Sequence, residues 1–207
     1  MKSRLFVCML ALFAVVAASC GSDDPVVEAS DVPQRIVSLN PTATEMLFAI
    51  GAGDQVVAVD QFSYYPAEAP VTNLSGFDPN IEAIAGFEPD LVVTDFTLEG
   101  LEVIGISNHA VPAATNLDEI YAQIEQLGAI TGHVGEAAEL VLQMQTAIDA
   151  ALVSLPARET PLTYYHELDN TLFSVTSSTF IGYVYDLFGL VNIADPADAD
   201  GRAYGYP

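Results

Sequence analysis

Basic side chains are almost missing from this sequence. Of 207 residues, five are Lys or Arg against 28 Asp or Glu, a formal net charge of −23 with histidine neutral. A surface of that sign repels phosphate, which excludes nucleic acid as a partner, and it repels anionic lipid headgroups in the same way. Any attachment to a membrane must therefore come from something other than a basic face. Tryptophan is absent, and the two cysteines are Cys8 and Cys20. The chain carries no Gly-x-Ser-x-Gly elbow and no phosphate-binding glycine loop. Carboxylates are so many that an acid–base pair can be drawn almost anywhere, and that abundance singles out none of them. No catalytic residue, cofactor or metal is assigned, and no enzymatic activity is expected.

What is present begins at the amino end. Lys2 and Arg4 precede an apolar run over residues 5–18, followed by Ala17-Ala18-Ser19-Cys20 and the polar Gly21-Ser22-Asp23-Asp24. The run falls short of the ~20 apolar residues that cross a bilayer, and its order of charge, apolar stretch and small residues is that of a signal peptide over residues 1–19. Small residues before a Cys resemble the lipobox of bacterial lipoproteins, with Ala17 where Leu is usual. Loss of the leader removes Cys8, so Cys20 becomes the first residue and no internal disulfide is possible. It also leaves three arginines against 28 acids, a formal charge of −25. Acyl chains on Cys20 would anchor the protein at the outer face of the membrane. Residues 20–33, acidic and containing Pro25 and Pro33, read as the tether.

With 51% hydrophobic and 9% aromatic residues, the remainder is rich enough to build a real core. From Arg35 short apolar runs alternate with helical stretches, the pattern of parallel strands joined by crossover helices. Strands are expected at 35–39, 56–59, 89–94 and 110–113. Thr42 and Glu45 have the spacing of a capping box for a first helix that Gly51 and Gly53 end, and Asp78-Pro79 reads as the start of a second. A short helix is expected at 101–104 and a longer one at 117–127, completing an amino-terminal lobe over 34–131. Residues 134–155 then repeat apolar Val134, Ala138, Val141, Ile148 and Leu152 at helical spacing. About 22 residues rise roughly 33 Å, enough to bridge two lobes, and the bridge is set at 132–156. Beyond Pro156 and Pro161 the α/β pattern restarts over 157–207, with strands at 162–166 and 191–193 and a helix at 180–188. The fold class is thus α/β, two Rossmann-like lobes joined by one long helix, with the second lobe incomplete.

Four stretches carry a resemblance: Arg35-Ile36-Val37-Ser38-Leu39-Asn40-Pro41-Thr42-Ala43-Thr44-Glu45, Asp78-Pro79-Asn80-Ile81-Glu82, Glu88-Pro89-Asp90-Leu91-Val92-Val93, and Phe180-Ile181-Gly182 followed by Asn192-Ile193-Ala194. Their order around the long helix resembles the periplasmic solute-binding proteins that include cobalamin-, haem- and ferric siderophore-binding components of ABC importers. The resemblance implies a ligand cleft between two lobes, delivery to a permease and its ATPase, and action as a monomer. It implies docking to the permease through a carboxylate on each lobe, with Glu82 matching the first. The cleft-facing loops are aromatic, at Phe62, Tyr64 and Tyr65 and at Phe77, which suits a flat conjugated ligand such as a corrinoid or ferric chelate. In the second lobe Glu167, Phe173 and Tyr206 stand at positions similar to cleft residues of the family. The cobalamin binders often carry a Trp in the first lobe, where this chain has Gly76-Phe77.

Two other readings compete. Relatives of the same architecture capture bare Zn²⁺ or Mn²⁺ through His and carboxylates from both lobes. The three histidines here are His109 in a loop, His133 at the start of the long helix and His166 at the end of a strand, with no i, i+4 pair among them. A lipid-anchored scaffolding protein without a small ligand is the other, and the aromatic loops argue against it.

Overall fold

Ile36–Ser38 (β1) and Leu91–Thr94 (β4), Ile-Val-Ser and Leu-Val-Val-Thr, are buried throughout, as strands covered on both faces must be. In the computed structural model, which describes residues 32–171 and 173–198, they are the adjacent central strands of a five-stranded sheet. Val56–Asp60 (β2) and Val71–Leu74 (β3) lie on one side and Ser107–Ala110 (β5) on the other, in the order β3-β2-β1-β4-β5. Every pairing is parallel. Alternate side chains leave a strand on opposite faces. Accordingly Ile36, Val59 and Val93 enter one core layer, while Val37, Ala58 and Val92 enter the other.

The first layer is closed by three helices: Pro41–Ala49 (α1), Leu117–Thr131 (α3) and Val134–Val153 (α4), through residues such as Leu47, Ile124, Leu127 and Ala137. Ile81–Ala85 (α2) covers the second through Ile84, joined by Leu98, Leu101 and Ile106. Two helix starts differ from the expected ones. α1 is capped by Asn40, whose side chain accepts from the Ala43 amide at 2.8 Å, and α2 by Asn80, which accepts from Ala83 at 3.0 Å. Neither Thr42 nor Asp78 caps, because an Asn two residues away already occupies the role.

The expected strand at 110–113 lies at Ser107–Ala110, and β3 was not anticipated. Both are edge strands with polar residues and little burial, so neither shows an apolar run. α3 runs on to Thr131 and stops at Gly132, whose φ of 80° lies in the left-handed region. On α4 the inner stripe is Ala137, Leu140, Val141 and Met144, while Val134 and Ala138 are exposed. Close approach to α3 sets that phase: a Cβ on Gly128 would stand 2.4 Å from the Ala137 Cβ. After α4 the chain forms Thr163–Tyr164 (β6), Phe180–Leu187 (α5) and Val191–Asn192 (β7), with β6 and β7 parallel. Among the described residues no helix is long and apolar enough to cross a membrane. The expected signal peptide, Cys20 and Tyr206 lie outside the described residues.

Candidate functional site

Strand order reverses between β1 and β4, since the chain builds β2 and β3 on one side of β1 before crossing to β4 and β5 on the other. In open α/β sheets the crevice at the carboxyl ends of such strands is where ligands bind. Asn40, two residues past β1, organises this point. Its Nδ2 donates to the Val111 carbonyl at 2.9 Å and to Asp95 Oδ1, while its Oδ1 caps α1. The residue is 4% exposed, and its bonds tie the ends of β1, β4 and β5 together.

Asp60 ends β2 and is buried, accepting from the Ser63 amide at 3.0 Å and the Ser63 hydroxyl at 2.6 Å. These bonds fold the 61–66 loop back over its strand. Gly76 passes so close to β1 that a Cβ there would stand 2.3 Å from the Leu39 carbonyl oxygen, so the second aromatic loop crosses the same edge. The two loops meet in an edge-to-face contact of Phe62 on Phe77, with centroids 5.7 Å apart and planes at 79°. Such pairs hold one another by their quadrupoles, yet Phe62 is 47% and Phe77 84% exposed, leaving most of their faces open to solvent. Tyr64 and Tyr65 are exposed beside them in the chain.

A cavity of 320 Å³ opens at the same sheet edge, lined by Asn40, Thr42, Asp95, Pro112 and Gln123 from the first part of the chain and by Phe180 from the start of α5. Gln123 is held there by donating from Nε2 to the Pro112 carbonyl at 2.8 Å. Burial, and secondarily the Asp60 carboxylate, hold the Asp95 carboxyl above its ordinary pKa.

Of the residues singled out from sequence, the structure brings Phe62 and Phe77 together. Glu167 and Phe173 lie on one short hairpin, where Glu167 bridges Ser174 and the Leu168 amide donates to the Phe173 carbonyl at 2.7 Å. Glu82 is exposed in the first turn of α2. Asn40, Asp95 and Phe180 were missed as site residues, and so was Phe96, exposed just beyond β4. The signal for the first two was a polar side chain within two residues of the end of a fully buried strand.

The histidines are dispersed. His109 sits on β5 and not in a loop; its Nε2 is buried without a partner, and burial lowers its pKa. Nδ1 of His133 faces the Thr131 carbonyl at 3.0 Å, and His166 pairs with the Tyr185 hydroxyl at 2.9 Å. Among the described residues, no three His, Cys, Asp or Glu side chains are grouped to hold a metal. A hollow of 470 Å³ also lies near the end of α4, lined by Leu155, Leu162 and Phe188, away from the sheet's carboxyl edge.

The chain belongs to the periplasmic binding protein family, whose sequence profile matches residues 36–204. It is 34% identical over 173 residues to the cobalamin-binding protein of Halobacterium salinarum, an alignment covering 78% of this chain and 46% of that one. Among solved structures, the periplasmic vitamin B12 binding protein BtuF of Vibrio cholerae is similar with a TM-score of 0.64 at 27% identity, covering 84% of this chain and 69% of the other. The periplasmic heme binding protein HutB of Vibrio cholerae is similar with a TM-score of 0.70 at 25% identity, covering 79% and 67%. The chain thus spans about half the length of its Halobacterium relative.

Proposed function

We propose that this protein is the extracytoplasmic substrate-binding component of an ABC importer, capturing cobalamin or a haem- or ferric siderophore-type ligand for its permease. The observations that carry this reading lie at the carboxyl ends of the strands: the exposed Phe62–Phe77 pair after β2 and β3, and the cavity that Asn40, Asp95 and Phe180 line at the reversal of strand order. Flat rings standing free of the core are surface for a conjugated ligand, and they cost little entropy to order. The names of the Halobacterium and Vibrio relatives support the cobalamin and haem part of that range. No catalytic step belongs to this reading.

Titration of the protein with cyanocobalamin, haemin and a ferric hydroxamate, followed by ligand absorbance and Tyr fluorescence, tests it. Binding of one of them below about 10 μM, roughly −7 kcal/mol, is expected. Failure of all three together with tight binding of Zn²⁺ would favour the metal-capture reading instead.

Two further parts of the reading concern delivery. Acyl chains on Cys20 tether the binder at the outer face, and the exposed Glu82 meets a permease arginine, a charge-assisted contact that orients the complex. Metabolic labelling with a palmitate analogue should mark the protein and not Cys20→Ser. Glu82→Arg should abolish uptake while leaving ligand affinity intact; equal loss of both would refute the docking role.

A further inference from the structure

The binding reading leaves three ligand chemistries open, and one carboxyl group narrows them. Asp95 stands at the carboxyl end of β4, beside the strand-order reversal, on the wall of the 320 Å³ cavity. One of its oxygens accepts from Asn40 Nδ2, and Asn40 is itself immobilised by its bonds to Val111 and Ala43. Among the described residues no other donor reaches Asp95. Its second oxygen therefore keeps its acceptor capacity for whatever occupies the cavity.

The charge around it has one sign. Asp60 is the charged group acting on Asp95, and Thr42, Gln123, Pro112 and Phe180 on the cavity wall are neutral. The described arginines are elsewhere. Arg35 donates to the Phe87 and Glu88 carbonyls at the amino-terminal edge of the sheet, and Arg158 lines the hollow near the end of α4. A ligand carboxylate or catecholate brought against this wall would face Asp95 with no cation to offset it, whereas a carboxamide would donate to it.

We infer that Asp95 is a specificity-determining residue of the cleft: it accepts a hydrogen bond from an N–H of a neutral, carboxamide-bearing ligand and rejects the same ligand when that amide is a carboxylate. This rests on the substrate-binding reading above and selects within it. Burial and the neighbouring acid already disfavour the ionised carboxyl, so a donated hydrogen bond relieves a cost that a ligand anion would deepen.

The probes are cyanocobalamin, whose corrin rim carries carboxamides, and its separated monocarboxylic acid isomers, each with one amide hydrolysed. Affinities are measured at neutral pH for the protein as it stands and for Asp95→Asn, with circular dichroism confirming that both are folded. The wild type should bind cyanocobalamin at least about tenfold more tightly than one of the isomers, and Asp95→Asn should narrow that preference to about threefold or less, because an amide can donate to the acid. Equal wild-type affinity for every isomer, or a preference unchanged in the variant, overturns the inference while the binding reading stands. No wild-type affinity for cyanocobalamin, with tight binding of haemin, overturns the inference and assigns the site to anionic ligands.

Discussion

The side-chain amide of Asn40 donates to the carboxylate of Asp95, joining the end of β1 to the end of β4 across 55 residues of sequence at the point where strand order reverses. That bond, the cap on α1 and the bond to the Val111 carbonyl all come from one buried side chain. Asn40→Ala removes the three together. Loss of an N-cap costs about 1 kcal/mol, and a buried acceptor left without a donor about 1–3 kcal/mol. A fall in unfolding free energy of roughly 2–4 kcal/mol is expected in urea titration; a loss under ~0.5 kcal/mol would show that the junction is not held by Asn40.

Asp95 sets a pH dependence of definite sign. Burial, then Asp60, raise its folded pKa above the value in the unfolded chain. Between the two values the folded state holds the extra proton, so stability falls as pH rises through that window. The penalty is complete at neutral pH and vanishes once both states are protonated. Asp95→Asn should therefore melt above the wild type near pH 7 and level with it near pH 3. A variant that melts lower at neutral pH would contradict this.

Gly76 is required by contact and not by conformation, since its φ lies outside the left-handed region. A Cβ at this position would stand 2.3 Å from the Leu39 carbonyl oxygen and 3.3 Å from Asp60 Oδ2. Since the nearer atom is backbone at the end of β1, Gly76→Ala must push the 75–77 loop outward, at about 1–3 kcal/mol, and displace Phe77. Gly135→Ala is the matched control: nothing lies within 4 Å, and the site is helical. Its melting temperature should be unchanged or slightly higher, while that of Gly76→Ala falls.

The aromatic pair separates stability from binding. Phe77 is 84% exposed and Phe62 47%, so truncating either to Ala should cost stability no more than about 1 kcal/mol, mainly the ring contact. Affinity for the bound probe should fall tenfold or more in the double variant, about 1.4 kcal/mol. Unchanged affinity would remove these rings from the site.

Much of the fold was legible where one physical signal dominated. The buried runs at β1 and β4, the Gly stop after α5 and the long uninterrupted α4 stand out because burial on both faces or a 3.6-residue period leaves few alternatives. β3 and β5, Val-Thr-Asn-Leu and Ser-Asn-His-Ala, are edge strands whose partners, not their composition, make them strands. The caps were displaced by two residues because each start offers two cap formers two positions apart, Asn40 and Thr42 or Asp78 and Asn80, and which one caps depends on where the chain enters the helix. In the site, the aromatic loops were visible as exposed rings near loop residues. Asn40, Asp95 and Phe180 were not, because their meeting depends on β1 lying next to β4 and on α5 reaching that edge.

The central claim is that ligand binds at the carboxyl edge of this sheet, over the aromatic pair and against Asp95. A crystal structure of the protein with cyanocobalamin tests it most directly. Corrin density packed on Phe62 and Phe77, with a carboxamide nitrogen within hydrogen-bond distance of Asp95, is the predicted result. Density seated instead in the hollow of Leu155, Leu162 and Phe188, with the sheet edge empty, would contradict it.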